Sequence, residues 1–114
     1  MIVILFTSFV KKENQEAFLP VAKRHAELSL LDAGCVRFDV LSPAGEEIKF
    51  LEIWESQDAL DAHAKRAASG EEGPKMNALR YDKKMEKYFY HLSLASGKQV
   101  LTDNIIKNIL FIHH

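Results

Sequence analysis

The chain has 114 residues, and its 15 lysines and arginines nearly balance its 16 aspartates and glutamates, for a formal net charge of −1. A chain of this length forms one domain with one core and buries about two thirds of the surface that it exposes when unfolded. The lysine pairs at 11–12 and 83–84 are too short and too far apart to form a phosphate-binding stripe. Composition and charge therefore argue against a nucleic-acid partner.

Cysteine use and the first apolar run indicate the compartment. Cys35 is the single cysteine, so no internal disulfide can form, and no Cys/His spacing typical of a metal site is present. The apolar run at 2–6 has no preceding basic region and is too short for a signal core or a membrane span. We expect a cytoplasmic protein without a metal site and without a membrane partner.

The first two predicted elements are a strand and a long helix. β-branched and aromatic residues over 2–10 predict the strand, and the pattern breaks at 11–14. A helix is predicted from about 15 to 31, because side chains of one stripe recur with the 3.6-residue period of a half-buried helix, and Gly34 stops it. This stripe comprises Phe18, Val21, Ala22, His25 and Leu28.

The following segments predict a hairpin, two helices and a last strand. Strands at 35–41 and 48–55 are separated by a short connection with proline and glycine, which favours an antiparallel hairpin. Ser56 is the predicted N-cap of the next helix. Pro74 suits the first turn of a short helix that is predicted to run through residue 85, before a strand at 86–93.

The order β-α-β-β-α-β predicts an α+β fold of the ferredoxin-like kind, with an antiparallel four-stranded sheet and the helices on one face. Both faces of the sheet are apolar, since Ile2, Ile4 and Phe6 alternate with Val3 and Leu5 in the first strand. A sheet with water on one side would alternate apolar with polar residues. We therefore expect the second face to pack against another copy of the chain in a homodimer.

Two segments resemble the antibiotic biosynthesis monooxygenase superfamily. Residues 34–40 carry its Gly-Cys-x-x-aromatic strand, and residues 50–63 carry its Glu-x-Trp-Glu-Ser strand end and its Ala-x-x-Ala-His helix. The resemblance spans roughly residues 1–93. It implies a dimeric α+β barrel, with a family domain at 1–94. The C-terminal extension at 95–114 lies outside the resemblance, and because it is apolar we expect it to dock on its own subunit or on the partner.

The resemblance also implies a range of activities. Similar scaffolds include cofactor-free quinol and anthrone monooxygenases, haem-degrading monooxygenases and isomerases of a phosphorylated sugar-derived signal. The run Arg37–Leu41 is similar to the isomerases. The haem-degrading branch uses an Asn on the first strand, a Trp on the second helix and a later His, none of which this chain has in place. We expect a cofactor-free monooxygenase with O2 as co-substrate, and an isomerase is the leading alternative enzyme.

The histidines on the two helices define a candidate site. His63 and His25 both face the sheet, so a pocket between helices and sheet could hold two imidazoles for proton transfer to or from a small hydrophobic or aromatic molecule. The alternative is a pair of core histidines, satisfied by a carbonyl or by a carboxylate such as Glu52. The predicted substrate-binding residues are Trp54, Phe38, Phe6, Glu52, Leu60 and Met76.

Two features leave the function open. Many relatives have another histidine shortly after the second helix, whereas this chain has the sequence SGEEGPKM at 69–76. Beyond residue 94, Thr102 or Asp103 could cap a short apolar helix. The candidates are therefore an oxygenase or a related isomerase, and a non-catalytic dimer that binds a small hydrophobic molecule.

Overall fold

The computed structural model describes residues 1–90 of the chain, which form four strands and three helices. In chain order the elements are β1 (Ile2–Phe9), α1 (Lys12–Ser29), β2 (Cys35–Val40), β3 (Glu47–Trp54), α2 (Gln57–Ser69), α3 (Glu72–Leu79) and β4 (Asp82–Phe89). Predictions for residues 91–114, including the capped helix and the docking extension, lie outside this range.

The four strands form one antiparallel sheet in the order β2-β3-β1-β4. In the centre of the sheet, Ile4 of β1 lies opposite Glu52 of β3 on one side and Lys87 of β4 on the other. The α+β class and the ferredoxin-like arrangement predicted from the sequence are confirmed.

The main core lies between the sheet and the helices. Ile4, Phe50 and Trp54 from the sheet pack against Phe18 of α1, and none of these side chains is more than 2% exposed. Burial of an apolar side chain of this size contributes about 1.5 to 3 kcal/mol relative to leaving it in water. This layer therefore holds the sheet and α1 together beneath the site.

A second, smaller cluster occupies the other face of the sheet. It consists of Val3, Leu5, Leu51 and Ile53, with exposures of at most 9%. The apolar pattern on both faces is thus real, but these central side chains are already buried within a single chain. The pattern alone does not require a second copy, and the homodimer stays a prediction.

The predicted boundaries hold to within three residues except around the last helix and strand. The third helix ends at Leu79 instead of residue 85, and β4 begins at Asp82 instead of 86. Lys83, Lys84 and Met85 favour a helix by intrinsic propensity, but β1 offers them a full ladder of backbone hydrogen bonds. Pairing within the sheet therefore overrides the local preference.

The connection from β3 to α2 follows the sequence prediction. Ser56 is the N-cap of α2, and its Oγ accepts a hydrogen bond from the backbone N–H of Ala59 at 3.2 Å. Within residues 1–90, no helix has both the length and the apolar character needed to cross a membrane.

Gly34 should be intolerant of a side chain. Its φ is +81°, and an added Cβ would lie 2.5 Å from the Cβ of Ala59 on α2. Gly45 has a φ of +63° but no atom within 4 Å of such a Cβ. Both Gly→Ala changes cost about 1 to 2 kcal/mol for the left-handed backbone, and Gly34→Ala adds an overpacking cost of about 1 to 3 kcal/mol.

We expect urea denaturation to show a clearly larger loss of unfolding free energy for Gly34→Ala than for Gly45→Ala. Equal losses in the two variants would mean that the contact between Gly34 and α2 is not tight.

Candidate active site

Two histidines lie side by side between the helices and the sheet. His25 comes from α1 and His63 from α2, their ring centroids are 5.3 Å apart, and they are 4% and 7% exposed. Trp54 lies against the His63 ring with the centroids 4.5 Å apart, and Phe38 contacts both imidazoles. The sequence prediction that both histidines face the sheet is therefore correct.

A carboxylate from the turn after α1 holds His63. Nδ1 of His63 lies 2.9 Å from Oδ2 of Asp32. Asp32 is fixed in turn by Arg66 of α2, whose Nε lies 2.7 Å from Oδ1. The sequence reading offered Glu52 as a partner for a buried histidine, but the partner of His63 in the structure is Asp32.

A second carboxylate holds His25 in the same way. Nδ1 of His25 lies 3.4 Å from Oε1 of Glu72, at the start of α3. Nη1 of Arg66 donates to the same oxygen at 2.5 Å. Arg66 thus links the carboxylates behind both imidazoles, and we call the set Asp32, Arg66 and Glu72 the arginine bridge.

The sequence reading missed the arginine bridge. Glu72 lies in the segment after the second helix where many relatives carry a further histidine, so the departure at 69–76 was the available signal. Asp32 and Arg66 had no such signal, because residues 34 positions apart meet only through the packing of α2 against the turn after α1.

Burial keeps both imidazoles neutral. It lowers the pKa of His25 to about 4, and it lowers the pKa of His63 although Asp32 acts in the opposite direction. With Nδ1–H donating to a carboxylate, a neutral imidazole presents an unprotonated Nε2. Within residues 1–90, neither Nε2 has a hydrogen-bond partner. Each ring can therefore accept a proton from a ligand.

Glu52 provides a third titratable group on the same face of the sheet. Its side chain is buried, and Nε1 of Trp54 donates to its Oε1 at 3.0 Å. Burial raises the pKa of Glu52 to about 7, against the lowering effect of the Trp54 hydrogen bond. A carboxyl group that titrates near neutral pH can both give and take a proton at little cost.

These groups surround a cavity of about 240 Å³ between α2, α3 and the sheet. Both histidines line it, and so do four of the six predicted substrate-binding residues, namely Phe6, Glu52, Leu60 and Met76. The other two, Trp54 and Phe38, do not line the cavity but lie behind the imidazoles. The remaining lining residues are Phe50, Ala64, Ala67, Ala68, Gly73, Asn77, Arg80, Lys83 and Met85.

A metal ion has no ready site in the described part of the chain. Among residues 1–90, no group of three or more His, Cys, Asp or Glu side chains is arranged to hold one. The carboxylates next to the histidines are instead engaged by Arg66.

The antiparallel sheet with helices on one face places the chain among the small ferredoxin-like α+β proteins. A family model for antibiotic biosynthesis monooxygenases matches residues 1–71, and the chain belongs to this family. This confirms the resemblance seen in the sequence. No curated protein matches the chain.

Solved structures share this fold. A Nitrosomonas europaea protein, named for antibiotic biosynthesis monooxygenase, is similar with a TM-score of 0.67 and 21% identity over 79% of this chain and 98% of that one. A conserved Methanosarcina mazei protein has a TM-score of 0.66 and 21% identity, over 76% of this chain and 89% of that one. A Bacteroides thetaiotaomicron protein of unknown function, named as a possible oxidoreductase, has a TM-score of 0.64 and 26% identity. The match covers 76% of this chain and 93% of that one.

The shifted pKa of Glu52 predicts a pH-dependent stability difference. Because the folded pKa of about 7 exceeds the usual value of 4.5, Glu52 contributes stability at low pH that is lost as the pH rises through 7. Glu52→Gln keeps an acceptor for Trp54 and removes this ionisation. Between pH 5 and pH 8, the wild type should lose roughly 2 kcal/mol of unfolding free energy relative to Glu52→Gln.

Urea denaturation at both pH values, followed by the fluorescence of the single tryptophan, measures this difference. The lowered pKa values of His25 and His63 act in the opposite direction, losing stability as the pH falls below 6.5, but they act in both proteins and cancel. Glu71→Gln, at an exposed position, is the matched control and should follow the wild type. Parallel curves for wild type and Glu52→Gln would show that Glu52 is ionised in the usual range.

Proposed function

We propose that the chain is a cytoplasmic, cofactor-independent monooxygenase that oxidises a small quinol-like or anthrone-like aromatic molecule with O2. The observation that supports this most strongly is the neutral His63, held by Asp32 through Nδ1 and bordering a mainly apolar cavity. Ligand cavities for drug-sized molecules measure about 300 to 1,000 Å³, so a cavity of about 240 Å³ suits a ligand of one or two fused rings.

The first step of the proposed reaction is a proton transfer. Nε2 of His63 accepts the proton of the substrate hydroxyl, and Asp32 stabilises the imidazolium that forms. His25 and Glu52 border the same cavity and orient the bound oxygen atoms by hydrogen bonds. Removal of this proton is the difficult event, because an electron-rich phenolate can transfer an electron to O2 directly.

The remaining steps need no further reductant. The phenolate gives one electron to O2, the two radicals combine in a new C–O bond, and the resulting hydroperoxide loses water. For a quinol the balance is quinol plus O2 to hydroxyquinone plus water, with one oxygen atom in each product. The substrate supplies all four electrons that reduce O2, so neither a flavin nor a metal is required.

The same site supports an isomerase as a second candidate. Glu52 and His63 border one cavity, and one of them could remove a proton from carbon while the other returns a proton elsewhere. Such a reaction consumes no O2. Turnover of a small carbonyl or sugar-derived substrate under nitrogen would therefore favour the isomerase over the oxygenase, and binding without turnover of either kind would favour a non-catalytic ligand-binding dimer.

Replacement of the proposed base tests the oxygenase directly. In His63→Asn, the side-chain amide can still donate to Asp32 from the place of Nδ1, but no group replaces Nε2. We expect kcat for menadiol oxidation to fall by about 100-fold or more, the usual range for loss of a general base, while the urea midpoint changes little. The measurement is oxygen uptake above the rate without enzyme, and His25→Asn is the matched comparison.

Equal turnover by wild type and His63→Asn, with equal substrate affinity, would contradict the assignment of His63 as the base. Parallel losses of stability and activity would instead favour a structural histidine.

The proposal includes a homodimer. Among the strands of residues 1–90, β4 lies at the edge of the sheet, and its Met85 and Phe89 are 55% and 67% exposed, which leaves apolar surface for a second copy. Light scattering at micromolar concentration should give about twice the chain mass of 13.0 kDa. Phe89→Glu should shift the mass toward one chain, whereas Leu31→Glu, at an 82% exposed position in the turn after α1, should not. A wild-type mass of one chain would rule the dimer out.

A further inference from the structure

Arg80 lies against the cavity without a carboxylate partner. It follows α3 directly, its side chain is half-buried, and its guanidinium carbon lies 5.2 Å from the centre of the Phe6 ring. Within residues 1–90, no carboxylate lies within ion-pair distance of it. A half-buried cation of this kind is costly unless a counter-charge reaches it.

The guanidinium is held in place by neutral acceptors. Nη1 donates to Oγ of Ser8 at 3.0 Å, and Nε donates to Oδ1 of Asn77 at 3.1 Å, where Nη2 also donates. These contacts use three of the five N–H groups of an arginine. Two N–H groups of Arg80 have no acceptor among the described residues. The neutral acceptors fix the orientation of the guanidinium but do not neutralise its positive charge.

Lys83 adds a second cation to the same cavity. It is on β4 opposite Ser8 of β1, the residue that accepts from Arg80. Lys83 is exposed, so it lies where the cavity opens to solvent, and the described residues place no carboxylate within ion-pair distance of its ammonium group. Lys84, the next residue, belongs to the other face of the sheet and does not line the cavity.

The charges that line the cavity therefore do not balance. Arg80 and Lys83 are cationic, both histidines are neutral at pH 7, and Glu52 is the one carboxyl group among the described lining residues. Arg66 differs from Arg80 in this respect, because it forms ion pairs with the carboxylates of Asp32 and Glu72. An anion that entered with the ligand would restore the balance at Arg80.

We propose that the ligand of this cavity is an aromatic molecule with an anionic group, a carboxylate or its equivalent, that binds to the free N–H groups of Arg80 with Lys83 at the solvent side. The aromatic part then occupies the apolar portion lined by Phe6, Leu60 and Met76. This inference rests on the proposed function for the identity of the cavity as the substrate site, and it narrows the substrate to acidic aromatic compounds.

A pair of ligands that differ in charge but not in shape tests the inference. Calorimetric titration with 2-naphthoate and with its neutral amide, 2-naphthamide, compares the two at one ionic strength. We expect the wild type to bind naphthoate about 10-fold or more tightly than naphthamide, as a charge-assisted hydrogen bond allows. Inorganic phosphate should not displace naphthoate at equal concentration, because it has no ring for the apolar portion.

Three variants locate the preference. Arg80→Gln should weaken naphthoate binding by about 10-fold or more and leave naphthamide binding nearly unchanged, which also shows that the variant is folded. Lys83→Gln should give a smaller loss of the same kind. Lys84→Gln is the matched control, with the same change of charge on the other face of the sheet, and should bind both ligands as the wild type does.

Equal affinities for the two ligands, a full naphthoate preference in Arg80→Gln, displacement by phosphate, or no binding of either ligand would each overturn the inference. Neither ligand is a quinol, so the titration does not depend on turnover. A charge preference located at Arg80, together with no oxygen uptake on any acidic quinol, would overturn the proposed oxygenase and leave the anion site standing.

Discussion

The candidate site depends on one interaction, the contact of Arg66 with two carboxylates from different parts of the chain. Asp32 lies in the turn after α1, Glu72 begins α3, and Arg66 is on α2, so one guanidinium joins two helices and a turn. A buried carboxylate next to an imidazole would by itself favour the imidazolium. Desolvation outweighs that effect and keeps both histidines neutral, and the charge of Arg66 acts in the same direction. The arginine bridge thus fixes the orientation of the imidazoles without charging them.

The pKa of Glu52 also depends on burial and on hydrogen bonds that act in opposite directions. The strand period of two places Glu52 and Trp54 on one face, where the indole N–H donates to the carboxyl group. One neutral donor does not compensate for the loss of water, and the pKa of Glu52 rises to about 7. Glu72, by contrast, is strongly affected by burial too, but hydrogen bonds from Arg66, from its own backbone N–H and from His25 together outweigh burial and lower its pKa to about 2. The number and charge of the donors around each carboxyl group therefore decide which of the two can exchange a proton near neutral pH.

The sequence could predict what depends on local periodicity. The helical stripe of α1 predicts that His25 faces the sheet, and the sequence also predicts this position for His63 on α2. Contacts between segments far apart in sequence had no such pattern, so Asp32, Arg66 and Glu72 were missed as partners. The predicted third helix is too long because of another contact between distant segments. The helix-favouring residues at 83–85 pair with β1 instead. Sequence periodicity thus predicts which face of a helix or strand is buried. Hydrogen-bond partners and the ends of strands depend on tertiary packing, which periodicity does not show.

The neutral histidines and the cationic side chains of the cavity have complementary roles in the proposed proton transfer. An imidazole with a lowered pKa is a weak base, and a phenolic hydroxyl with an ordinary pKa of about 10 gives up its proton to it only at a cost. Cations without counter-charges near the bound ligand lower that cost, because they stabilise the phenolate more than the phenol. Arg66 lacks this property, since two carboxylates neutralise it. Arg80 and Lys83 together carry two positive charges, so one remains after the anionic group that we propose for the ligand has bound. In the proposed reaction, this remaining charge lowers the cost of deprotonation, so that a neutral His63 can act as the base.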